Sequence, residues 1–281
     1  MRNLVVRTLT GLIYVVLLIG CTVFSPVTAF FFFGFVAAAS LFEFGTVMNN
    51  HAGACMPRAI NALAGFILVA AVWLFCIGSD TAPRVMGLWG ILILYIMVSE
   101  LYRASQDSIR NWSLSLASQL YIALPFALLP LLSINRDEAA GQMAYTWNYP
   151  LALFIFLWVN DTFAYLSGLT LHNIFPWKLF PSVSPKKTWV GSIGGCLFTL
   201  LASVGIWYVL PGTLSLLQWL GFAAVVVVSG TFGDLVESHM KRQLGIKDTS
   251  HILPGHGGLL DRFDSSLLAI PAVTVYFVFL A

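Results

Sequence analysis

Nine apolar stretches of about 20 residues each decide what this chain can fold into. A helix needs about 20 mostly apolar residues to cross the hydrocarbon core of a bilayer. The stretches cover residues 5–24, 27–48, 59–77, 84–101, 112–133, 149–169, 189–210, 214–235 and 262–280. They predict an all-α polytopic membrane protein with about nine transmembrane helices.

Composition agrees with this prediction and excludes other classes of protein. Apolar residues make up 59% of the 281 residues and charged residues only 9%, against about 45–50% and about 25% in soluble domains. So few charges exclude a secreted, disordered, fibrous or nucleic-acid-binding protein. The four cysteines show no C-x-x-C spacing, so they predict neither a disulfide nor a metal site.

The positive charges predict the orientation in the membrane. Twelve of the fourteen Lys and Arg residues fall on the side that holds the N-terminus, and only Arg84 and Arg136 fall on the other. By the positive-inside rule the N-terminus is cytoplasmic and the C-terminus external. The alternative for residues 2–20 is a signal peptide cleaved before Cys21.

We predict a single polytopic domain over residues 1–281. It divides into an N-terminal helical bundle, residues 1–135, and a catalytic part, residues 148–281. The catalytic part carries two cytoplasmic loops, residues 170–188 and 236–262.

Acidic residues converge at the cytoplasmic end of the last spans. Asp161 lies in the cytoplasmic third of the sixth span, Asp234 at the end of the eighth, and Asp261 and Asp264 at the start of the ninth. Ionisable groups in membrane spans are costly and usually functional. Carboxylates grouped at one depth suit Mg²⁺, which takes few protein ligands and leaves room for phosphate oxygens.

Helical spacing sharpens this grouping. If the eighth span continues as a helix, four polar side chains share one stripe: Asp234, Glu237, Ser238 and Lys241. The alternative to a metal site is a set of structural ion pairs, Glu237 with Lys241 or Asp261 with Arg262.

A basic, glycine-rich segment precedes the seventh span, and two interpretations of it stay open. Lys186 and Lys187, with the unpaired N–H groups of the helix start, would bind an anion. Alternatively, the lysines anchor the topology and the Gly191-x-x-x-Gly195 pattern packs helices together. The loop over residues 254–258 likewise suits either a phosphate-binding backbone or a plain turn.

Two further acids lie near cytoplasmic ends of spans. Glu100 can pair with Arg103, three residues later. Glu43 has no local partner, so a role in the interior of the bundle is the hypothesis for it.

Three motifs carry a family resemblance. The first reads Ser238-His239-Met240-Lys241-Arg242, then Lys247-Asp248-Thr249-Ser250, then residues 253–264 as LPGHGGLLDRFD. The others are residues 160–168, NDTFAYLSG, and residues 184–191, SPKKTWVG. Together they resemble the phosphatidate cytidylyltransferases (CDP-diacylglycerol synthases), specifically over about residues 158–266. Val190 departs from the pattern, since many relatives carry Glu there.

The resemblance implies a reaction in which CTP and phosphatidic acid give CDP-diacylglycerol and diphosphate, with Mg²⁺ required and K⁺ as the candidate second cation. It implies Asp234, Asp261 and Asp264 as metal ligands, and these three with Lys241 and Asp161 as the catalytic set. The expected substrate-binding residues are Lys186, Lys187, Thr188, Ser238, Arg242, Lys247, Asp248, His256, Gly257, Gly258 and Arg262.

The expected partners are CTP, phosphatidic acid and membrane lipid, with no nucleic acid, and the sequence is compatible with a homodimer. The expected location is the bacterial cytoplasmic (inner) membrane, with the active site on the cytoplasmic face. Two other functions stay open. A CTP-dependent lipid kinase would transfer the γ-phosphoryl group, and a transporter would carry its acids near the bilayer centre.

Overall fold

The protein is described by a computed structural model, in which residues 2–103, 107–137, 142–171, 173–250, 252–253, 255 and 257–280 are placed. Most of these residues are helical. The helices are α1 Arg2–Phe24, α2 Pro26–His51, α3 Arg58–Cys76, α4 Ala82–Ser99, α5 Ser108–Ser118, α6 Leu124–Ser133, α7 Asn148–Leu171, α8 Trp189–Val209, α9 Leu216–Gln243 and α10 Leu260–Leu280. A π-helical turn, Gln119–Ala123, joins α5 to α6.

The membrane spans match the apolar stretches of the sequence. Within the described residues, eight helices are long and apolar enough to cross a membrane, counting Ser108–Ser133 as one. The first predicted span falls in α1 Arg2–Phe24, which contains the apolar helical stretch Thr8–Phe24. The prediction of an all-α polytopic membrane protein is confirmed.

Four short strands depart from the helical prediction. Strands β1 Ile134–Asp137 and β2 Gln142–Tyr145 form one antiparallel pair, and β3 Lys178–Phe180 and β4 Ser184–Thr188 form another. The predicted loop 170–188 therefore contains a small hairpin. Strands of three to five residues between helices are too short to show an alternating apolar pattern.

The predicted loop 236–262 is also shorter than expected, because α9 continues to Gln243. The last two turns of α9 are polar, so a search for apolar residues ends too early. The segment between α9 and α10 covers residues 244–259.

The chain forms two compact units. The first comprises Met1–Trp147 with Leu244–Phe263, and the second comprises Asn148–Gln243 with Asp264–Ala281. The sequence suggested a boundary between residues 135 and 148. The structure adds residues 244–263, which lie late in the sequence, to the first unit.

Buried polar side chains of the first unit satisfy one another. The Gln119 amide donates to Asn61 O at 2.8 Å, and the Asn61 amide donates to Ser118 Oγ at 2.7 Å. Glu100 accepts a hydrogen bond from Asn111 at 2.8 Å and pairs with Arg103 at 3.4 Å, which confirms the predicted pair. Such pairing is required because an unsatisfied polar group in an apolar bundle is costly.

Close helix packing dominates the second unit. A Cβ on Gly191 would lie 2.7 Å from the Ala164 carbonyl oxygen, and a Cβ on Gly195 would lie 2.7 Å from the Asn160 carbonyl oxygen. Helices α7 and α8 thus approach each other through glycines, as small residues allow in membranes. The packing interpretation of the Gly191-x-x-x-Gly195 pattern is confirmed.

Candidate active site

A cavity of about 450 Å³ opens in the second unit. Its walls come from α7, the β3–β4 hairpin, α8 and α9. Small residues at the α7–α8 contact, including Gly168 and Gly191, form part of the lining. The polar or charged lining residues are Asn160, Asp161, Tyr165, Lys178, Lys186, Lys187, Thr188, Ser192, Thr231 and Asp234.

An ion pair lies in the wall of this cavity. The Lys187 ammonium is 2.5 Å from Asp234 Oδ2, and the two side chains are 25% and 28% exposed. Lys186 and Lys178 line the same cavity and are exposed. The cavity therefore combines three cationic groups with the carboxylates of Asp161 and Asp234, which suits an anionic ligand that brings a cation with it.

The start of α8 places the lysines. Thr188 caps this helix from an extended backbone conformation, and its hydroxyl accepts the Gly191 N–H at 3.1 Å. The cap fixes the end of β4 against the helix, so Lys186 and Lys187 lie just before its positive end. The cap satisfies one N–H group of the helix start.

The polar stripe of α9 is present as predicted. The Ser238 hydroxyl donates to Asp234 Oδ1 at 3.1 Å, and Lys241 donates to Glu237 Oε1 at 3.0 Å. Glu237 is fully buried, so the structural ion pair weighed as an alternative does occur. Asp264 of α10 lies within electrostatic range of Asp234, Asp161 and Lys241. The second unit therefore gathers four carboxylates near its cationic groups.

In the first unit, Asp261 organises the segment before α10. Its Oδ2 accepts hydrogen bonds from Thr249 N–H at 2.9 Å and Gly258 N–H at 2.8 Å, and it lies 3.0 Å from Thr249 Oγ. Gly257 has a φ of +83°, a conformation that favours glycine. Asp261 therefore holds Thr249 and Gly258, and the Gly258 amide is already engaged.

The predicted site residues divide between the two units. The second unit holds Asp161, Lys186, Lys187, Thr188, Asp234, Ser238, Lys241, Arg242 and Asp264. The first holds Lys247, Asp248, Gly257, Gly258, Asp261 and Arg262, of which Lys247, Asp248 and Arg262 are exposed. His256 lies outside the described residues.

Some lining residues were not singled out from the sequence. Lys178 was counted only as a positive charge, and its place in the cavity depends on the pairing of Lys178 with Thr188 across the hairpin. Ser192 and Thr231 gave no signal, since isolated hydroxyls in apolar helices are common. Asn160 belongs to the motif of residues 160–168, and this was the only indication in the sequence that it lies at the site.

The donor set of the second unit fits Mg²⁺ in its chemistry. Mg²⁺ is usually bound by one or two carboxylates together with substrate phosphates and waters. Asp234 and Asp264 would supply such carboxylates, and Asp234 already faces a cationic group. Among the described residues no cluster of three or more His, Cys, Asp or Glu side chains could hold a metal, so a closed cage of protein ligands is not offered by that part of the chain.

The chain is similar to proteins of one family. A model of the cytidylyltransferase family matches residues 5–280. The phosphatidate cytidylyltransferase of Staphylococcus aureus (strain COL) is 29% identical over 277 residues, covering 97% of this chain and 98% of the relative. The phosphatidate cytidylyltransferase of Rickettsia prowazekii (strain Madrid E) is 34% identical over 212 residues, covering 72% of this chain and 86% of the relative.

A bundle of membrane helices with a cavity lined by lysines and carboxylates is a suitable site for transfer of a phosphate-linked group. The matches define the class: this is a multi-pass membrane enzyme, a nucleotidyltransferase. The chain belongs to the cytidylyltransferase family.

Proposed function

We propose that this enzyme transfers the cytidylyl group of CTP to phosphatidic acid, giving CDP-diacylglycerol and diphosphate. The observation that carries the proposal is the cavity of the second unit, where Lys178, Lys186 and Lys187 meet Asp161 and Asp234 in a chain of the cytidylyltransferase family. Both proposed substrates present phosphate groups, which three lysines would neutralise.

In the proposed reaction, a phosphate oxygen of phosphatidic acid attacks the α-phosphorus of CTP. A bond forms between that oxygen and the α-phosphorus, and the bond from the α-phosphorus to the bridging oxygen of diphosphate breaks. The attacking phosphate monoester is already anionic at neutral pH, so no strong general base is needed. The enzyme must instead position both phosphates and neutralise their charge.

The residues of the cavity suit these tasks. Lys186 and Lys187 would clamp the triphosphate, and Lys178 would add a third cation at the hairpin. Asp161 would orient one of these lysines. At the end of α9, Ser238 would keep the Asp234 carboxylate in its orientation through the hydrogen bond at 3.1 Å.

We further propose that Asp234 and Asp264 hold Mg²⁺ when substrate is bound. The ion would supply neutralisation of the negative charge that develops on the transferred group. The position of Asp234 supports this assignment, because its carboxylate lines the cavity that the substrate phosphates would occupy and Asp264 lies within electrostatic range of it. K⁺ as a second cation and a homodimeric state stay predictions.

The purified enzyme should release diphosphate when it is incubated with CTP, Mg²⁺ and phosphatidic acid, and the lipid product should carry CMP. A lipid kinase would instead release CDP and leave a phosphorylated lipid. Chromatography of the lipid product, with CTP labelled at either the α- or the γ-phosphate, distinguishes the two reactions. Label that enters lipid from the γ-phosphate alone would overturn the proposal.

Replacing Lys186 and Lys187 together by Gln should raise the KM for CTP about tenfold to hundredfold with a smaller change in kcat, because phosphate binding common to the ground and transition states is lost. The matched control is Arg84→Gln, which removes an exposed charge on the side of the membrane predicted to be external. Steady-state kinetics measure both variants. An unchanged KM in the double variant would identify the lysines as a topology anchor alone.

We also propose that the lysine-lined cavity faces the cytoplasm at the bacterial inner membrane, a proposal supported by the distribution of twelve positive charges against two. In a variant without Cys21, Cys55, Cys76 and Cys196, a cysteine at Ser182 should be protected from an impermeant thiol reagent in spheroplasts. A cysteine at Ser215 should react with it. Both sites are exposed on the protein surface, so the reverse pattern would invert the topology.

A further inference from the structure

Glu43 is a buried acid that the proposed reaction does not use. It lies within the apolar helix α2 and is only 2% exposed. Its Oε1 accepts a hydrogen bond from the Thr249 hydroxyl, and its Oε2 accepts one from Leu259 N–H at 2.9 Å. These partners are 206 and 216 residues away in sequence. One carboxylate thus binds both ends of the loop Thr249–Leu259.

Gly258 packs directly against this carboxylate. A Cβ on Gly258 would overlap with the Glu43 carboxylate and with the Thr249 hydroxyl, so no larger residue fits at that position. Asp261 Oδ2 accepts the Thr249 N–H at 2.9 Å and lies 3.0 Å from the same hydroxyl oxygen. Glu43 and Asp261 therefore hold Thr249 between them, and Glu43 alone adds the second attachment at Leu259.

We infer that Glu43 is a positioning residue for the proposed cytidylyl transfer, acting through the loop Thr249–Leu259. This inference rests on the proposed function, because the loop carries Gly257 and Gly258 and directly follows Lys247 and Asp248, all predicted to bind substrate. An ionisable group buried in a membrane helix is costly and is kept where it has a specific task. Here the task is to fix the two ends of a glycine-rich loop that would otherwise lose its geometry.

The donors and acceptors around Glu43 show which substitutions keep its hydrogen bonds while removing its carboxyl group. Leu259 N–H can only donate, whereas the Thr249 hydroxyl can donate or accept. Gln at position 43 can accept from Leu259 with its oxygen and donate its amide to Thr249 Oγ, whose hydrogen then goes to Asp261. Asp is one methylene shorter and cannot reach both partners, and Ala reaches neither.

We therefore expect Glu43→Gln to keep kcat within about threefold of the parent. Glu43→Asp and Glu43→Ala should lower kcat about a hundredfold with a smaller change in KM, the scale expected for misplacement by about 1 Å. Hydrogen exchange at the Gly258 and Leu259 amides should accelerate in Glu43→Ala and stay slow in Glu43→Gln. If Gln proves as damaging as Ala, the charge is what matters and the inference is wrong.

The matched control is Glu100→Ala, which removes another buried acid of the first unit, bonded to Asn111 and Arg103. It should lower thermal stability while the folded fraction keeps its kcat. A Glu43→Ala variant that behaves in the same way would reduce Glu43 to a structural residue and overturn the inference.

Thr249 tests the inference from the loop side, including the case in which Glu43→Ala does not fold. Thr249→Ser should retain kcat, and Thr249→Val should lower it as Glu43→Ala does. Normal turnover in Thr249→Val would overturn the inference. The proposed function is judged separately, by whether the parent enzyme makes the CMP-bearing lipid, and the exchange rates of the loop amides do not depend on the reaction.

Discussion

Asp234→Asn should lower kcat by about two to four orders of magnitude, the largest effect expected of any single substitution in the cavity. Asn keeps the shape of the side chain and the hydrogen bond from Ser238, but removes the negative charge 2.5 Å from Lys187. Metal-assisted charge stabilisation is worth several kcal/mol in the transition state, and each 1.4 kcal/mol corresponds to about tenfold in rate. Single-turnover and steady-state assays on the purified variant measure the loss.

Stability should change little in this variant, because partly exposed ion pairs contribute about 1 kcal/mol or less. The control is Asp107→Asn, which makes the same exchange in the exposed pair with Arg110, at 3.1 Å in the first unit. It should leave kcat within about twofold. If Asp234→Asn matches this control, Asp234 is a structural partner of Lys187 and holds no metal.

Asp261→Asn should also lower kcat by about two to four orders of magnitude if the predicted metal role of Asp261 is correct. The two backbone donors of the loop both lie on Oδ2, so the single oxygen of Asn can accept them in the same geometry. The amides of the loop should therefore still exchange slowly, while the proposed Mg²⁺ site loses a charged ligand. Excess Mg²⁺ should restore turnover only in part.

Loop order and turnover separate the two roles of Asp261. Turnover within about threefold of the parent, with an ordered loop, would mean that Asp261 serves the loop alone and that its metal assignment is wrong. Asp261→Ala is the companion variant, since it removes both the charge and the acceptor. It should accelerate amide exchange at Thr249 and Gly258, whereas Asp261→Asn should not.

Membrane helices are the part of this fold that the sequence predicts best, because a run of about 20 apolar residues has few other solutions. The ends of these helices are predicted less well where the residues become polar. Helix α9 continues past residue 235 to Gln243 because Lys241 and Glu237 satisfy each other one turn apart. An apolar window cannot detect a helix that ends in such pairs.

The candidate site was predictable where residues are close in sequence. The stripe from Asp234 to Lys241 follows from helical spacing alone, and the contact from Ser238 to Asp234 agrees with it. Long-range partners were not predictable, because nothing near Glu43 in the sequence points to Thr249. The structure shows which residues line the cavity of the second unit and which contact Glu43 in the first. The chemical roles of these residues stay predictions.

The composition of the first unit has a consequence for biogenesis. Its helices α1 to α6 are synthesised early, but Leu244–Phe263 completes the same unit and emerges from the ribosome only after α7, α8 and α9. Until then the Glu43 carboxylate lacks Thr249 and Leu259 as donors. A chain truncated after Gln243 would contain every residue of the lysine-lined cavity. Its first unit would still lack Leu244–Phe263, so it would be a substrate for membrane quality control.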